Sequence, residues 1–250
     1  MSSTPIQSDR SGTRFALMLA IVGTLTLTGC QAIGSSTPVA QVRIINASPD
    51  APGLDIHQGS SALAYNLGFG TVTSYIQLAP GNYTINAATS GTKQVLSSSR
   101  ATLAAASQYS VLIGNSAASL QQLTLTDQNQ PAPSGQIALR FIDQATLISA
   151  VDIYLVPAGQ KLTAVAPLAT GIAFGVNTGY LDIPTGTYSV VMVPTGTGPI
   201  STTIATYSGP QVTYSAGCAR TIILIDQQLV STPGLQVITA DDFDSPGATS

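Results

Sequence analysis

An internal repeat constrains this chain of 250 residues more than any other feature. Val42–Asn46 (VRIIN) and Leu139–Asp143 (LRFID) begin two similar segments, which continue to Leu54–Ile56 (LDI) and Val151–Ile153 (VDI). Both pairings keep one spacing of about a hundred residues, as duplicated structural units do. The sequence therefore predicts two copies of one domain, each large enough to bury its own core.

The similarity continues through the later part of each copy. LGFGTVTSYIQLAPGNYTINA resembles IAFGVNTGYLDIPTGTYSVVM, and the run starting at Tyr109 resembles the run starting at Arg220. This alignment pairs Phe69 with Phe174, Tyr75 with Tyr180, and Tyr83 with Tyr188. We predict domains at residues 41–127 and 136–244, a Pro- and Gly-rich linker at 128–135, and a disordered tail at 245–250.

Each copy contains short apolar runs that alternate with polar residues and are separated by Gly, Pro, Asn or Ser. Charged residues make up 8% of the chain and all its acidic residues are Asp, so strong helix formers such as Glu are missing. This pattern predicts an all-β fold with two tandem Greek-key β-sandwich domains, immunoglobulin-like or transthyretin-like. A Pro/Gly turn before Tyr83 and before Tyr188 indicates a tyrosine corner, in which the phenol bonds to the backbone upstream.

The first thirty residues are typical of a secretion signal. Arg10 and Arg14 precede an apolar run, which is short for a membrane span and ends in Leu27-Thr28-Gly29-Cys30. These last four residues resemble the lipobox of bacterial lipoproteins. That resemblance implies a signal peptide at 1–29, acyl chains such as palmitate on Cys30, and a flexible tether over 30–40. An ordinary signal peptide with a chance Cys is the alternative.

The residue after the cysteine bears on location. Lipoproteins of two-membrane bacteria that stay at the inner membrane commonly carry Asp there, whereas this chain has Gln31. We therefore expect a lipid anchor in the cell envelope, at the outer membrane. The net charge of −3 and a pI near 4.7 argue against nucleic-acid binding, which needs basic patches. The basic residues after the signal are scattered: Arg43, Lys93, Arg100, Arg140, Lys161 and Arg220.

The segment Asn46-Ala-Ser-Pro-Asp-Ala-Pro52 lies between two predicted strands. Pro49 presets the backbone for a turn, Asp50 suits the next position, and Asn46 and Ser48 can bond to local backbone groups. With its flanking strands, this motif resembles the signature of a bacterial extracellular family known as domain-of-unknown-function family 4397. The resemblance implies a β-rich surface module, often in tandem, and supplies no reaction and no catalytic residues.

A candidate interaction loop consists of Asn46, Ser48, Pro49, Asp50 and Asp55. A turn is the simplest interpretation, a protein or glycan contact the second, and a metal site the third. Calcium takes six to eight oxygen ligands, and two Asp five residues apart are too few. The second copy replaces the middle of the motif with Gln144–Ser149, so a binding function would belong to the first domain alone.

We expect no catalytic residues, metal or cofactor. His57 could act as a catalytic base for a serine, but the sequence contains no GxSxG motif. Cys218 lies at the start of an apolar strand, which is typical of a buried structural thiol. Tyr65, Tyr75 and Tyr83 fit half-buried strand positions better than a sugar-stacking strip, and the acidic run Asp241–Asp244 fits a solvated end.

These features predict a non-enzymatic, lipid-anchored structural, adhesive or protein-interaction module. Its expected partners are the membrane, through the lipid, and an envelope protein or polysaccharide. The alternative is a carbohydrate- or small-ligand-binding lipoprotein that serves an envelope transport or polysaccharide system.

Overall fold

The computed structural model describes residues 38–227 and 234–244, and sixteen β-strands lie within these ranges. The first eight are β1 Ala40–Asn46, β2 Leu54–Gln58, β3 Ser61–Leu67, β4 Ile76–Leu78, β5 Gly81–Thr89, β6 Val95–Leu103, β7 Gln108–Gly114 and β8 Gln121–Asp127. The second eight are β9 Gln136–Asp143, β10 Val151–Pro157, β11 Ala169–Ile172, β12 Asn177–Pro184, β13 Gly186–Pro194, β14 Tyr207–Tyr214, β15 Ala219–Asp226 and β16 Leu235–Phe243. Two short 3₁₀ turns occupy Ala117–Ser119 and Leu162–Ala164.

Strands β1–β8 build domain 1 from two four-stranded sheets. We call the sheet β4-β1-β7-β8 inner sheet 1 and the sheet β3-β2-β5-β6 outer sheet 1. β1 pairs with β4 antiparallel and with β7 in parallel. An immunoglobulin domain groups its strands as ABED and CFG, and the order found here differs from that grouping.

Strands β9–β16 repeat this topology in domain 2. Inner sheet 2 has the order β12-β9-β15-β16, with β9 and β15 parallel, and outer sheet 2 has the order β11-β10-β13-β14. Every strand of one domain has its counterpart at the same place in the other. The all-β, two-sandwich prediction is therefore confirmed.

Alternating apolar residues fill a core between the two sheets of each domain. Ile44, Leu54 and Ile85 are fully buried in domain 1, and Phe141 and Ile153 are fully buried in domain 2. Each strand turns every second side chain toward the opposite sheet, so the period-two sequence pattern produces two separate cores.

The predicted tyrosine corners are present in both domains. The Tyr83 hydroxyl donates to the carbonyl oxygen of Ala79 at 2.6 Å, and the Tyr188 hydroxyl donates to that of Pro184 at 2.9 Å. In each case the bond spans four residues and closes the turn that opens β5 or β13. A turn before a strand-initiating Tyr was thus sufficient sequence information to predict this contact.

The two repeats lie within one compact unit. Most of segment 128–135 between them is exposed, but Gln128, Asn129 and Ala132 are partly or fully buried. Ala132 is buried against Ala138 and Ala219 of inner sheet 2, and its N–H donates to the carbonyl oxygen of Gly217 at 3.0 Å. The Asn129 side chain donates to the carbonyl oxygen of Ala106 in domain 1 at 2.9 Å. The segment that joins the domains is therefore bonded to both of them.

Candidate functional site

The inner sheets of the two domains pack against each other through their faces turned away from the cores. Apolar side chains from both domains form one buried cluster there. Its members are Ile45, Ala47, Leu112 and Leu125 from domain 1 and Ile142, Ile223, Ile225, Ile238 and Ala240 from domain 2. Strands of both inner sheets thus read as nearly continuous buried runs, because both of their faces are covered.

Beside this apolar cluster lies a buried network of arginines and aspartates. Arg43 of β1 crosses the interface: its guanidinium donates to the Asp242 carboxylate and to the carbonyl oxygen of Asp241 at 2.6 Å. Its Nε donates to Ser110 Oγ of its own domain at 2.7 Å, and that hydroxyl donates to Asp127 Oδ2 at 2.6 Å.

Arg140 of β9 repeats this arrangement in the opposite direction. Its Nη2 donates to Asp127 Oδ1 of domain 1 at 2.6 Å, and its Nη1 donates to the carbonyl oxygen of Thr126 at 2.9 Å. Its Nε donates to Thr221 Oγ1 at 2.9 Å, and Thr221 donates to Asp242 Oδ2 at 2.6 Å. Each arginine therefore holds a hydroxyl of its own domain and a carboxylate of the other.

Two tyrosines complete the network, at positions that the repeat alignment pairs. Tyr75 donates its hydroxyl to Asp127 and Tyr180 donates its hydroxyl to Asp242, both at 2.8 Å. The Arg43 and Arg140 guanidinium carbons lie 4.9 and 4.6 Å from the ring centroids of Tyr75 and Tyr180, within cation–π range. Burial, followed by the charge of the neighbouring aspartate, raises the pKa of both phenols, so they remain donors.

The network is electrically balanced, since two guanidinium groups face two carboxylates. Burial raises the pKa of Asp242, and Arg43 opposes that shift by favouring the charged form. Removing one member of a buried ion pair leaves its partner charged and unsolvated, which is strongly destabilising. The network therefore fixes how the two domains pack. The expectation that Asp241–Asp244 is a solvated end is wrong for Asp242, which is buried.

The candidate interaction loop lies where β1 passes to β2, and its side chains mostly face inward. Asn46 and Ser48 are fully buried. The Asn46 amide donates to the carbonyl oxygen of Leu67 at 3.0 Å, and Asn46 Oδ1 accepts the Ser48 N–H at 3.1 Å. Asp50 is exposed and accepts the Ala117 N–H at 2.8 Å, and Pro49 is half-buried beside it. A partner contact here stays a prediction, and it could use only the tip of the loop.

Asp55 is 7% exposed although it points away from the domain core. It accepts the N–H groups of Asn66 at 2.8 Å and Gly91 at 2.9 Å, and these backbone bonds hold the pKa of its carboxyl below the usual value. Asp152 in domain 2 accepts the N–H groups of Gly171 at 2.9 Å and Gly196 at 3.3 Å. Asp55 and Asp152 thus each join an equivalent edge strand (β3 or β11) to the connection after β5 or β13, which explains why the repeat contains both.

The remaining predicted residues lie apart from one another. Tyr65 is 72% exposed on outer sheet 1, Tyr75 lies at the domain interface, and Tyr83 closes its corner, so the three form no strip. Cys218 is buried, as expected for a structural thiol, and burial raises the pKa of this thiol. Cys30, the signal peptide and the tail at 245–250 lie outside the described residues.

Among the described residues, nothing packs on the outward face of outer sheet 1, which presents polar side chains together with the exposed Val95. Its register aligns His57 with Asn86 and Asn86 with Ser98 across β2, β5 and β6. The Tyr65 ring meets the His57 ring edge-on, with centroids 6.1 Å apart. Within the described ranges, no group of three or more His, Cys or Asp side chains is placed to hold a metal ion.

Sequence reasoning missed the interdomain network and this face. One available signal for the network was that Arg43 and Arg140 occupy matching positions inside apolar strands, as Tyr75 and Tyr180 match later in the repeat. The contacts themselves were not readable, because Arg43 and Asp242 are 199 residues apart. Separately, none of the helices in the described part of the chain has the length and hydrophobicity needed to cross a membrane.

Comparison with known protein families gives a match over the first repeat. The family model described as Domain of unknown function (DUF4397) matches residues 40–154, which cover domain 1 and the first strands of domain 2. This match confirms the resemblance that the motif Asn46–Pro52 and its flanking strands indicated. A search of curated proteins finds no match.

A comparison with solved structures aligns the chain with two proteins at low similarity. One is a family CBM26 module of Amy13K from Eubacterium rectale, in complex with maltoheptaose, with 10% identity, a TM-score of 0.23, and coverage of 82% of this chain and 98% of the other. The second is a candidate cell adhesion protein from Bacteroides fragilis, with 10% identity, a TM-score of 0.18, and coverage of 84% and 100%.

Proposed function

We propose that this protein is a non-enzymatic structural or adhesive module of a bacterial envelope, anchored at the outer membrane by lipid on Cys30. The observation that carries the proposal is the buried Arg–Asp network between the two inner sheets. It joins two domains into one compact unit, as suits a protein that presents fixed surfaces to a partner.

The use of ionisable groups also supports this proposal. Catalytic acids and bases need access to substrate, but the buried carboxylates described above bond to structural partners. Asp127 and Asp242 hold the interface, and Asp55 and Asp152 accept backbone N–H groups within their own domains. Asp226 accepts the backbone N–H groups of Thr146 and Leu147 and so holds the loop after β9.

The anchor can be tested by comparing Cys30→Ser with the wild-type protein in cells. Thioether-linked acyl chains need the thiol, so we expect the wild-type protein to take up labelled palmitate and to fractionate with the outer membrane. The variant should lose the label and leave the membrane. Cys218→Ser is the matched control, because it removes the buried thiol and should leave labelling unchanged. A Cys30→Ser protein that is still acylated and membrane-bound would falsify the anchor.

The interaction role needs a separate measurement. Cross-linking on intact cells should join the wild-type protein to a defined envelope component, and Cys30→Ser should lose that product because it is no longer at the surface. Turnover of an envelope glycan or peptide by the purified full chain would contradict the non-enzymatic part of the proposal.

A second candidate function is binding of an envelope carbohydrate. The free polar face of outer sheet 1 favours it, because Tyr65 is exposed there beside hydrogen-bonding side chains. Tyrosine offers an apolar ring and a polar tip, which suits contact with a sugar ring and its hydroxyl groups.

A further inference from the structure

The outer sheets of the two domains differ in what covers them. In outer sheet 2, Tyr154, Val156, Val191 and Val193 form a buried apolar cluster under Leu162, Val165 and Ala205. These covering residues belong to the long connections at 158–168 and 195–206. Outer sheet 1 has only short turns at 59–60 and 90–94 in the same places, so no such cover lies on its face within the described ranges.

Charge also distinguishes the free face. Segments 54–67 and 81–103, which contain the strands of outer sheet 1, carry Lys93, Arg100 and His57, and their one acidic residue is Asp55. The Asp55 carboxylate is buried under the N–H groups of Asn66 and Gly91. Lys93 and Arg100 are exposed, and neither makes an ion pair with any residue in the described ranges. In an acidic protein, this face therefore presents uncompensated positive charge.

The cationic groups flank a row of hydrogen-bonding side chains. Tyr65, His57, Asn86 and Ser98 follow one another across the sheet, with strands about 4.8 Å apart. Lys93 lies beyond one side of the row and shares a surface groove with His57 and Asn86. Arg100, two residues beyond Ser98, lies about 6.6 Å along the strand on the other side.

We infer that this face binds an acidic polysaccharide, that is, a glycan chain bearing carboxylates. The inference rests on the proposed carbohydrate-binding role and names its surface and its ligand class. Arg100 pairs with one carboxylate in the bidentate geometry of a guanidinium, and Lys93 pairs with another as a point charge. Asn86 and Ser98 bond to hydroxyl groups, and the ring of Tyr65 packs on a sugar face.

Charge density favours a polysaccharide over a membrane surface or a nucleic acid. Segments that dock on anionic lipid carry clusters of four to eight Lys or Arg, and nucleic-acid binders neutralise many phosphates. Two cations beside a polar row are few for either. They match a chain whose charges are spaced by neutral hydroxyl-rich surface.

The test uses the full chain in mild detergent, with polygalacturonate oligomers as the acidic probe. Amylose serves as the neutral probe, and vesicles with one quarter phosphatidylglycerol serve as the anionic membrane. We expect the protein to bind polygalacturonate and neither amylose nor the vesicles. Raising NaCl from 0.05 to 0.5 M should weaken this binding at least tenfold, because salt screens exposed charge pairs. Arg100→Gln should weaken binding about tenfold, the effect of losing about 1.4 kcal/mol of charge-assisted bonding.

Lys161→Gln is the matched control. It removes one exposed positive charge from domain 2, in a connection that covers outer sheet 2, and should leave affinity unchanged. Tyr65→Ala should weaken binding without altering the salt dependence, and all three variants should keep the wild-type unfolding midpoint.

Several outcomes would overturn the inference. These are equal loss in Lys161→Gln, equal binding of amylose, preference for the vesicles, and no binding of polygalacturonate. None of them bears on acylation of Cys30 or on cross-linking at the cell surface, so failure of this inference is distinguishable from failure of the proposed module.

Discussion

The two domains share one topology and treat their outer sheets in opposite ways. At matching positions, domain 1 has His57 and Asn86 where domain 2 has Tyr154 and Val191, and both pairs are direct cross-strand neighbours. The polar pair lies on a free face, and the apolar pair lies under the connections of its own domain. One duplicated fold can therefore give a domain whose outer sheet is covered by its own connections and a domain whose outer sheet is not covered by the described residues.

The inner sheets show the opposite behaviour, since both copies keep the same polar side chains for the same task. Each domain contributes an Arg, a hydroxyl residue, an Asp and a Tyr. Each arginine donates to the carboxylate of the other domain. The two domains diverged where they face outward and stayed alike where they face each other. Predictions can test both halves of this comparison.

The largest expected effect comes from breaking the shared network. Asp127→Ala leaves Arg140 buried beside Thr221 without its carboxylate, so we expect a loss of about 3–5 kcal/mol in the free energy of unfolding. Asp242→Ala should cost a similar amount, because it removes the corresponding partner of Arg43. Denaturant unfolding measured by circular dichroism gives both values.

Asp241→Ala is the control for this experiment. Its side chain is about half exposed and pairs with Arg220 at the surface, so its loss should cost less than about 1 kcal/mol. The loss in a double Asp127→Ala/Asp242→Ala variant should differ from the sum of the single losses, because the two carboxylates interact and share partners. Full additivity would mean that the two halves of the network act independently.

Much of the fold could be predicted, because local pattern determines it. Alternation predicted strands, the Pro/Gly turns predicted the corners at Tyr83 and Tyr188, and the repeat paired Tyr75 with Tyr180 before their common role was known. These features depend on residues close in sequence or on direct comparison of the two copies.

Contacts between the domains could not be predicted, because pattern carries no information about which distant surfaces meet. Asp242 looked like part of a solvated acidic end, and only the packing of β16 against domain 1 makes it a buried partner of Arg43. The free face of outer sheet 1 could not be predicted from the sequence either. The sequence contains the long connections of domain 2, but it does not show that they fold over outer sheet 2.

A second difference between the domains has a pH signature. Asn46 of domain 1 corresponds to Asp143 of domain 2, and both side-chain oxygens accept a backbone N–H two residues later. Burial raises the pKa of Asp143 to about 6, with a further contribution from the Asp226 charge. Its pKa in the unfolded chain is about 3.9, so the folded protein binds more protons between pH 4 and pH 6.

The stability contribution of Asp143 should therefore be greatest below pH 4 and be lost as the pH rises through 6. We expect Asp143→Asn to stabilise the protein at pH 8 by about 2 kcal/mol and to have a much smaller effect at pH 4. Unfolding curves at both pH values measure this difference. Asp182→Asn makes the same substitution at an exposed position and is the control for the change of side chain itself. A variant no more stable than the wild type at pH 8 would show that Asp143 is not strained by burial.

The smallest expected effect concerns the tyrosine corners, which have the same geometry in both domains. Tyr83→Phe and Tyr188→Phe each remove one hydroxyl bond to a carbonyl oxygen four residues upstream, so each should cost about 1 kcal/mol. Tyr65→Phe is the matched control, because its ring is mostly exposed and its loss of a hydroxyl should leave the unfolding midpoint unchanged. Equal losses at Tyr83 and Tyr188 would show that the corners kept their value while the outer faces diverged. A loss at only one would mean that the other turn is held by neighbouring contacts. The two domains would then share a topology but differ in what the corner contributes to stability.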